Sequence, residues 1–113
     1  MKKEISYKNF EDIDIRVGTV ISAIQNNLLN KPSMVLKIDF GENIGIKKSS
    51  AQLTENYSEK ELINKQVVAV INFKPKQIGN ILSEVLVLGF ADSKNQPILI
   101  TPDLKIKNGK KLY

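Results

Sequence analysis

From Ile13 onward the chain alternates between apolar and polar positions. Ile13, Ile15, Val17, Thr19, Ile21 and Ala23 fall on one side of an extended backbone, and Asp14, Arg16, Gly18, Val20 and Ser22 on the other. This period of two predicts a long first strand with one covered face. Gly18 lies in its middle, where a missing side chain permits a bulge or a sharp bend, so that one strand can serve two sides of a small barrel. Residues 25–32 carry turn chemistry. Residues 33–40 resume the alternation, with Met34, Leu36, Ile38 and Phe40 set against Val35, Lys37 and Asp39. Gly41-Glu42-Asn43 turns the chain into a third, less apolar strand over 44–51.

Ser58 and Glu61 have the spacing of a capping box, which predicts a short helix running into Leu62 and Ile63. Two apolar, β-branched runs follow, 67–71 and 85–88, expected to be adjacent antiparallel strands of the core, with Val70 and Leu86 both buried. Pro75 and Gly79 interrupt the stretch between them, so it reads as a loop presenting Lys74 and Lys76. At the start of the chain, Ser6 can cap a short helix over 6–12, with Tyr7 and Phe10 on one face as a lid for the core. Beyond Gly89 the pattern weakens to a turn over 92–96, a further extended piece over 97–100 and a charged tail.

Three strands, a helix and two strands, with a long bent first strand, is the order of an all-β, five-stranded OB barrel with its helix between strands 3 and 4. An SH3-like barrel is the competing arrangement. The 113 residues suit a single domain: an N-terminal helix (1–12), the barrel (13–91) and a C-terminal extension (92–113) packed outside the barrel or across a partner subunit. The apolar side chains of that extension and of the segment around Tyr7 and Phe10 predict a homodimer.

Composition narrows the chemistry. No cysteine is present, so no disulfide framework or thiolate site exists, and no histidine supplies the commonest general base and metal ligand. The apolar runs fall far short of a membrane span and the first residues show no secretory signal, so a soluble, cytoplasmic protein without a membrane partner is expected. Asp39, Glu42 and Glu84 are the carboxylates nearest to a site, but nothing in their spacing selects them for catalysis. The Gly41 to Gly45 spacing is a hairpin turn, not a phosphate loop, because no Gly-Lys-Ser/Thr follows. No metal, cofactor or catalytic residue is assigned.

Charge points further. Residues 1–45 carry six basic and six acidic side chains and residues 46–113 eleven and six, so the whole excess of five positive charges lies after residue 45. A one-sided lysine excess suits a polyanion, although it also serves solubility. Lys47 and Lys48 on the third strand and Lys74 and Lys76 on the loop between the last two strands fall on elements that border the ligand face of an OB barrel, and together they are expected to line it. Aromatic stacking groups are few. Phe40, Phe73 and Phe90 read as plugs for the barrel ends, so folded RNA recognised by shape fits better than generic single strands.

Five blocks carry a resemblance: residues 14–18 (DIRVG), 39–41 (DFG), 46–54 (IKKSSAQLT), 62–67 (LINKQV) and 83–89 (SEVLVLG). In order and spacing the chain resembles the CsaA family, stand-alone versions of the tRNA-binding domain also appended to some aminoacyl-tRNA synthetases. The resemblance implies an OB fold, a cytoplasmic homodimer and no catalysis. It further implies binding of tRNA and an export-related, chaperone-like affinity for unfolded or precursor polypeptides. The alternative is a tRNA-binding module without a chaperone role. Where the family's loop carries arginine with proline, this chain has Lys74-Pro75-Lys76, which keeps the charge and loses the planar fork. Asn72, Ser83 and Glu84 match family positions and are expected, with Lys47, Lys48, Lys74 and Lys76, to contact the ligand; local turn bonding is their other reading.

Overall fold

The computed structural model of the chain describes every residue except Leu29. In chain order it contains helix α1 (Tyr7–Glu11), strands β1 (Ile15–Asn26), β2 (Ser33–Asp39) and β3 (Ile46–Ala51), and helix α2 (Glu59–Leu62). Strand β4 (Gln66–Val70), a small hairpin of β5 (Lys76–Ile78) and β6 (Ile81–Ser83), then β7 (Leu86–Val87), β8 (Gly89–Ala91) and β9 (Pro97–Leu99) complete it. Five strands make one curled antiparallel sheet in the order β3-β2-β1-β4-β7. This is the all-β, OB-like arrangement expected from the sequence, with α2 between the third and fourth barrel strands.

Strand β1 is the hinge of the sheet. Its first half, Ile15 to Thr19, pairs with β4, and its second half, Thr19 to Asn26, pairs with β2. The register with β2 slips between Val20 and Ser22, which makes Ile21 the extra residue of a β-bulge. The alternation therefore changes phase: Val20 goes fully into the core, while Ile21 turns outward. The sequence expectation had this pair reversed and placed the irregularity at Gly18. Gly18 has another job. A Cβ there would lie 2.7 Å from both Ile38 Cγ2 and Phe40 Cδ1, so its bare backbone is what lets β1 lie against these two core side chains.

The core follows the alternation of β2 faithfully, with Met34, Leu36, Ile38 and Phe40 all buried, joined by Leu53, Leu62, Val67, Ala69 and Val85. Helix α2 starts as its capping box requires, Ser58 Oγ accepting from the Glu61 amide at 3.2 Å and Ser58 N–H donating to Glu61 Oε1 at 3.0 Å, and it delivers Leu62 into the core. Helix α1 forms where expected but buries no residue, so it is not a lid. The last two barrel strands are adjacent and antiparallel as predicted, with Val70 opposite Leu86. Val70 and Val85 are buried and Leu86 is half exposed, so the expectation that Leu86 is a core residue fails by one step of the alternation.

The C-terminal tail lies on its own barrel. Gly109 N–H donates to Val17 O, Val17 N–H to Lys110 O and Leu112 N–H to Ile15 O, so the tail adds a short strand to the half of β1 that β2 leaves free. Gln66 grips it like a second peptide group, donating from Nε2 to Ile106 O at 2.6 Å and accepting from Ile106 N–H at Oε1 at 3.1 Å. Gly109, at φ +90°, could not carry a side chain, because a Cβ would run into the Phe40 carbonyl oxygen.

Candidate nucleic-acid interface

The register of β2 against β3 decides which lysines can act together. Lys37 lies directly opposite Lys48, and Ser22 on β1 lies opposite Lys37, so the three share one face of the sheet. Both lysines are exposed. Lys47 is paired with the fully buried Ile38 and belongs to the opposite face, where it is only half exposed. The period of two thus separates Lys47 from Lys48, against the expectation that the pair lines one face. Lys37 takes the place beside Lys48. Like charges opposite one another on a sheet repel, and an anion between them removes that cost.

Lys74 and Lys76 are exposed on the segment between β4 and β7. That segment is not a plain loop: β5 and β6 fold it into a hairpin in which Lys76 pairs with Ser83. The hairpin is fixed to β3 by side chains. Ser83 Oγ accepts from the Ser50 amide at 3.0 Å, Glu84 Oε1 accepts from the Lys48 amide at 3.0 Å, and Glu84 N–H donates to Lys48 O at 2.8 Å. Ser49 Oγ completes the seam by donating to Val85 O. Ser83 and Glu84 therefore hold the basic hairpin beside Lys48.

Asn72 is used in the same way. Its Oδ1 accepts from the Asp14 amide at 2.9 Å and its Nδ2 donates to Asp12 O at 2.8 Å, which ties the end of β4 to the chain entering β1. Of the residues selected from the sequence, Lys48, Lys74 and Lys76 offer exposed charge, Lys47 faces the other way, and Asn72, Ser83 and Glu84 shape the support. Among the described residues the only ion pairs are Lys8 with Asp12 and Arg16 with Asp14, so none of these lysines has its ammonium group in contact with a carboxylate.

Two aromatic groups also depart from the expectation. Phe40 is buried, but Phe73 is 53% exposed and Phe90 71% exposed, so neither plugs the barrel. Phe73 stands beside Lys74 and gives the basic segment a surface on which a base can stack. The signal was present in the sequence, since a phenylalanine next to Lys-Pro-Lys lies beyond the apolar run of β4. No cluster of three or more metal-ligating side chains occurs among the described residues, and none of their helices is long and apolar enough to cross a membrane.

Residues 15–111 match the family described as "Putative tRNA binding domain". The chain belongs to that family. The structure superposes on the CsaA chaperone of Bacillus anthracis with a TM-score of 0.93 at 39% identity, covering 98% of this chain and all of that one. For the CsaA chaperone protein of Picrophilus torridus the values are 0.91 and 48%, covering 97% of this chain and again all of that one. Within the tRNA-binding-domain family, then, the chain stands with CsaA, as the resemblance in its five blocks implied. Methionine–tRNA ligase of Pyrococcus horikoshii is 32% identical over 114 residues, which cover 98% of this chain and 15% of the ligase. The chain spans about 15% of the length of the curated ligases it matches.

Proposed function

We propose that this protein is a non-catalytic, cytoplasmic, CsaA-like binding protein that holds structured tRNA on the face carrying Lys37, Lys48, Lys74 and Lys76. The observation that carries the reading is the facing pair Lys37 and Lys48, neither in a contact ion pair, bordered by the basic hairpin that Ser83 and Glu84 hold in place. Lysines in such a row contact phosphates, which fix position without reading sequence, while Phe73 adds stacking. Lysine in place of arginine keeps the attraction and gives up bidentate geometry, so affinity should depend on tRNA shape and charge more than on base identity.

The test is a titration of tRNA at several salt concentrations. Each phosphate contact contributes a log–log slope of about 0.7 to 0.9, so Lys48→Ala/Lys76→Ala should flatten the dependence by about two units. An unchanged slope removes this face from the site.

A second reading, binding of unfolded or export-competent polypeptide, is favoured by the CsaA relatives, whose names call them chaperones, and by a cleft of about 210 Å³ at the seam between β3 and β7. Ala51, Leu53, Leu86, Val87 and Leu99 line it. Apolar burial is barely screened by salt, so polypeptide binding should persist where tRNA binding is lost. The exposed apolar side chains of Ile5 and Tyr7 and of Leu104, Ile106 and Leu112 fit a symmetric homodimer. Light scattering of the whole chain at micromolar concentration tests that assembly, and a monomer would refute it.

A further inference from the structure

The tail contributes more than a strand. Between it and the β2–β3 turn lies a cleft of about 880 Å³, bordered by Arg16, Lys107, Lys110 and Lys111 and by a single lining carboxylate, Glu42. We propose that this cleft is a second phosphate-binding surface for RNA, separate from the face of Lys37 and Lys48. The inference rests on the reading of the chain as a tRNA binder and extends it to a bipartite contact.

The cations of the cleft are held on a rigid base. Arg16 is turned into place by Asp14, which accepts from Nε at 2.6 Å, while Nη1 donates to Gly109 O at 3.0 Å. Thr19 Oγ1 and Gln66 Nε2 both donate to Asn108 Oδ1, at 2.8 and 3.1 Å. Gly41 and Gly109, both at φ +90°, let the turn and the tail approach backbone to backbone. The lysines therefore project from fixed backbone rather than from a loose end, which lowers the entropy lost on binding.

The chemistry favours phosphate. Asp14 engages Arg16, but Lys107, Lys110 and Lys111 have no ion-pair partner among the described residues. Three compact ammonium groups around an open cleft suit the spaced charges of a sugar-phosphate backbone. The aromatic ring of the lining, Phe40, is only 1% exposed, so bases have no stacking surface there and the contact should not read sequence. Ile44 on the rim and Lys48 are four residues apart, at most about 14 Å along extended chain. One folded RNA can touch both surfaces.

The lysine side chains take no part in fastening the tail, whose bonds run through backbone atoms and through Gln66, Asn108, Thr19 and Arg16. Lys107→Ala/Lys110→Ala/Lys111→Ala should accordingly melt like the parent chain. Titrated with a tRNA transcript from low to moderately high salt, it should lose about two to three units of log–log slope, by about the same amount for tRNAs of different sequence. Lys94→Ala, on the turn before β9 and outside the lining of the cleft, should leave the slope unchanged. If the triple variant melts early, Lys107→Gln/Lys110→Gln in the same titration decides, with a loss of about one to two units expected. A parental slope in a folded variant, while Lys48→Ala/Lys76→Ala still lowers it, overturns the second surface and leaves the tRNA reading intact. Loss of polyglutamate binding without loss of tRNA slope overturns it in favour of an acidic polypeptide. A parent chain that does not bind tRNA removes the tRNA reading itself, and one that binds it without salt dependence removes phosphate contact at both surfaces.

Discussion

The barrel is closed along two seams, and they are built on different principles. At the seam of β1 with the tail, the added strand supplies its own backbone, and the geometry is enforced by a glycine with no room for a side chain. At the seam of β3 with β7, the strands do not form a continuous ladder, and Ser49, Ser83 and Glu84 bridge them with side-chain oxygens. The first seam depends on close approach and the second on polar side chains that keep a gap. The gap between β3 and β7 leaves a small apolar cleft, whereas the tail is bonded directly to β1 and its larger cleft lies to one side, against the β2–β3 turn.

Four measurements would break or sharpen that contrast. The largest effect belongs to Gly109→Val, which adds strain at positive φ to a collision with the Phe40 carbonyl; a loss of about 3 kcal/mol in urea unfolding is expected. Gln66→Ala removes three hydrogen bonds to the tail and leaves the Ile106 amide without its partner, for about 2 kcal/mol. If the tail were a passive appendage, both variants would unfold with the parental midpoint. At the other seam, Glu84→Ala deprives the Lys48 amide of its acceptor and should cost about 1 kcal/mol, with a matching gain in hydrogen exchange confined to β3 and the hairpin.

The smallest effect is outside both seams and serves as their control. Ser58→Ala should cost about 0.5 kcal/mol through loss of the α2 cap and alter exchange at neither seam. The hydrogen bond from the Ser58 amide, followed by that from its hydroxyl, holds the Glu61 carboxyl below the usual range. A depressed carboxyl stabilises the fold above its unfolded pKa and loses that contribution as pH falls through its folded pKa. Ser58→Ala keeps the amide bond and removes only the hydroxyl's share, so one part of its deficit should be present near neutrality and fade in acid as Glu61 protonates, while the part from the lost cap bond to the Glu61 amide stays. A deficit independent of pH would show that the hydroxyl serves only the Glu61 amide and not its carboxylate.

How much of this was legible in the sequence varies with how local the cause is. Strand β2 and the start of α2 were fully legible, because the alternation of Met34, Leu36, Ile38 and Phe40 and the Ser58 to Glu61 spacing act within a few residues. The bulge at Ile21 was not, since nothing local distinguishes Val20 from Ile21; the phase is set by what β2 and β4 demand of the two halves of β1. Leu86 was misassigned for a related reason: a four-residue apolar run does not say which of its members face inward. At the site, the period of two already separated Lys47 from Lys48, but Lys37 could be added only once the register placed it opposite Lys48. The hydrogen bonds of Asn72, Ser83 and Glu84 join residues tens of positions apart, beyond the reach of sequence pattern.

Gln66 imitates a peptide group, and an imitation peptide group recognises any backbone that offers both an N–H and a carbonyl. The attachment at Ile106 is therefore indifferent to spelling: Lys105, Ile106 and Lys107 can be rewritten without touching the clasp, whereas Asn108 and Gly109 cannot. A library randomised at 105–107, with proline excluded at 106 so that its N–H can still reach Gln66, should fold throughout, which makes this stretch a natural address for a dye, an epitope or a new specificity. The same indifference lets selection retune the rim of the cleft while the barrel stays closed.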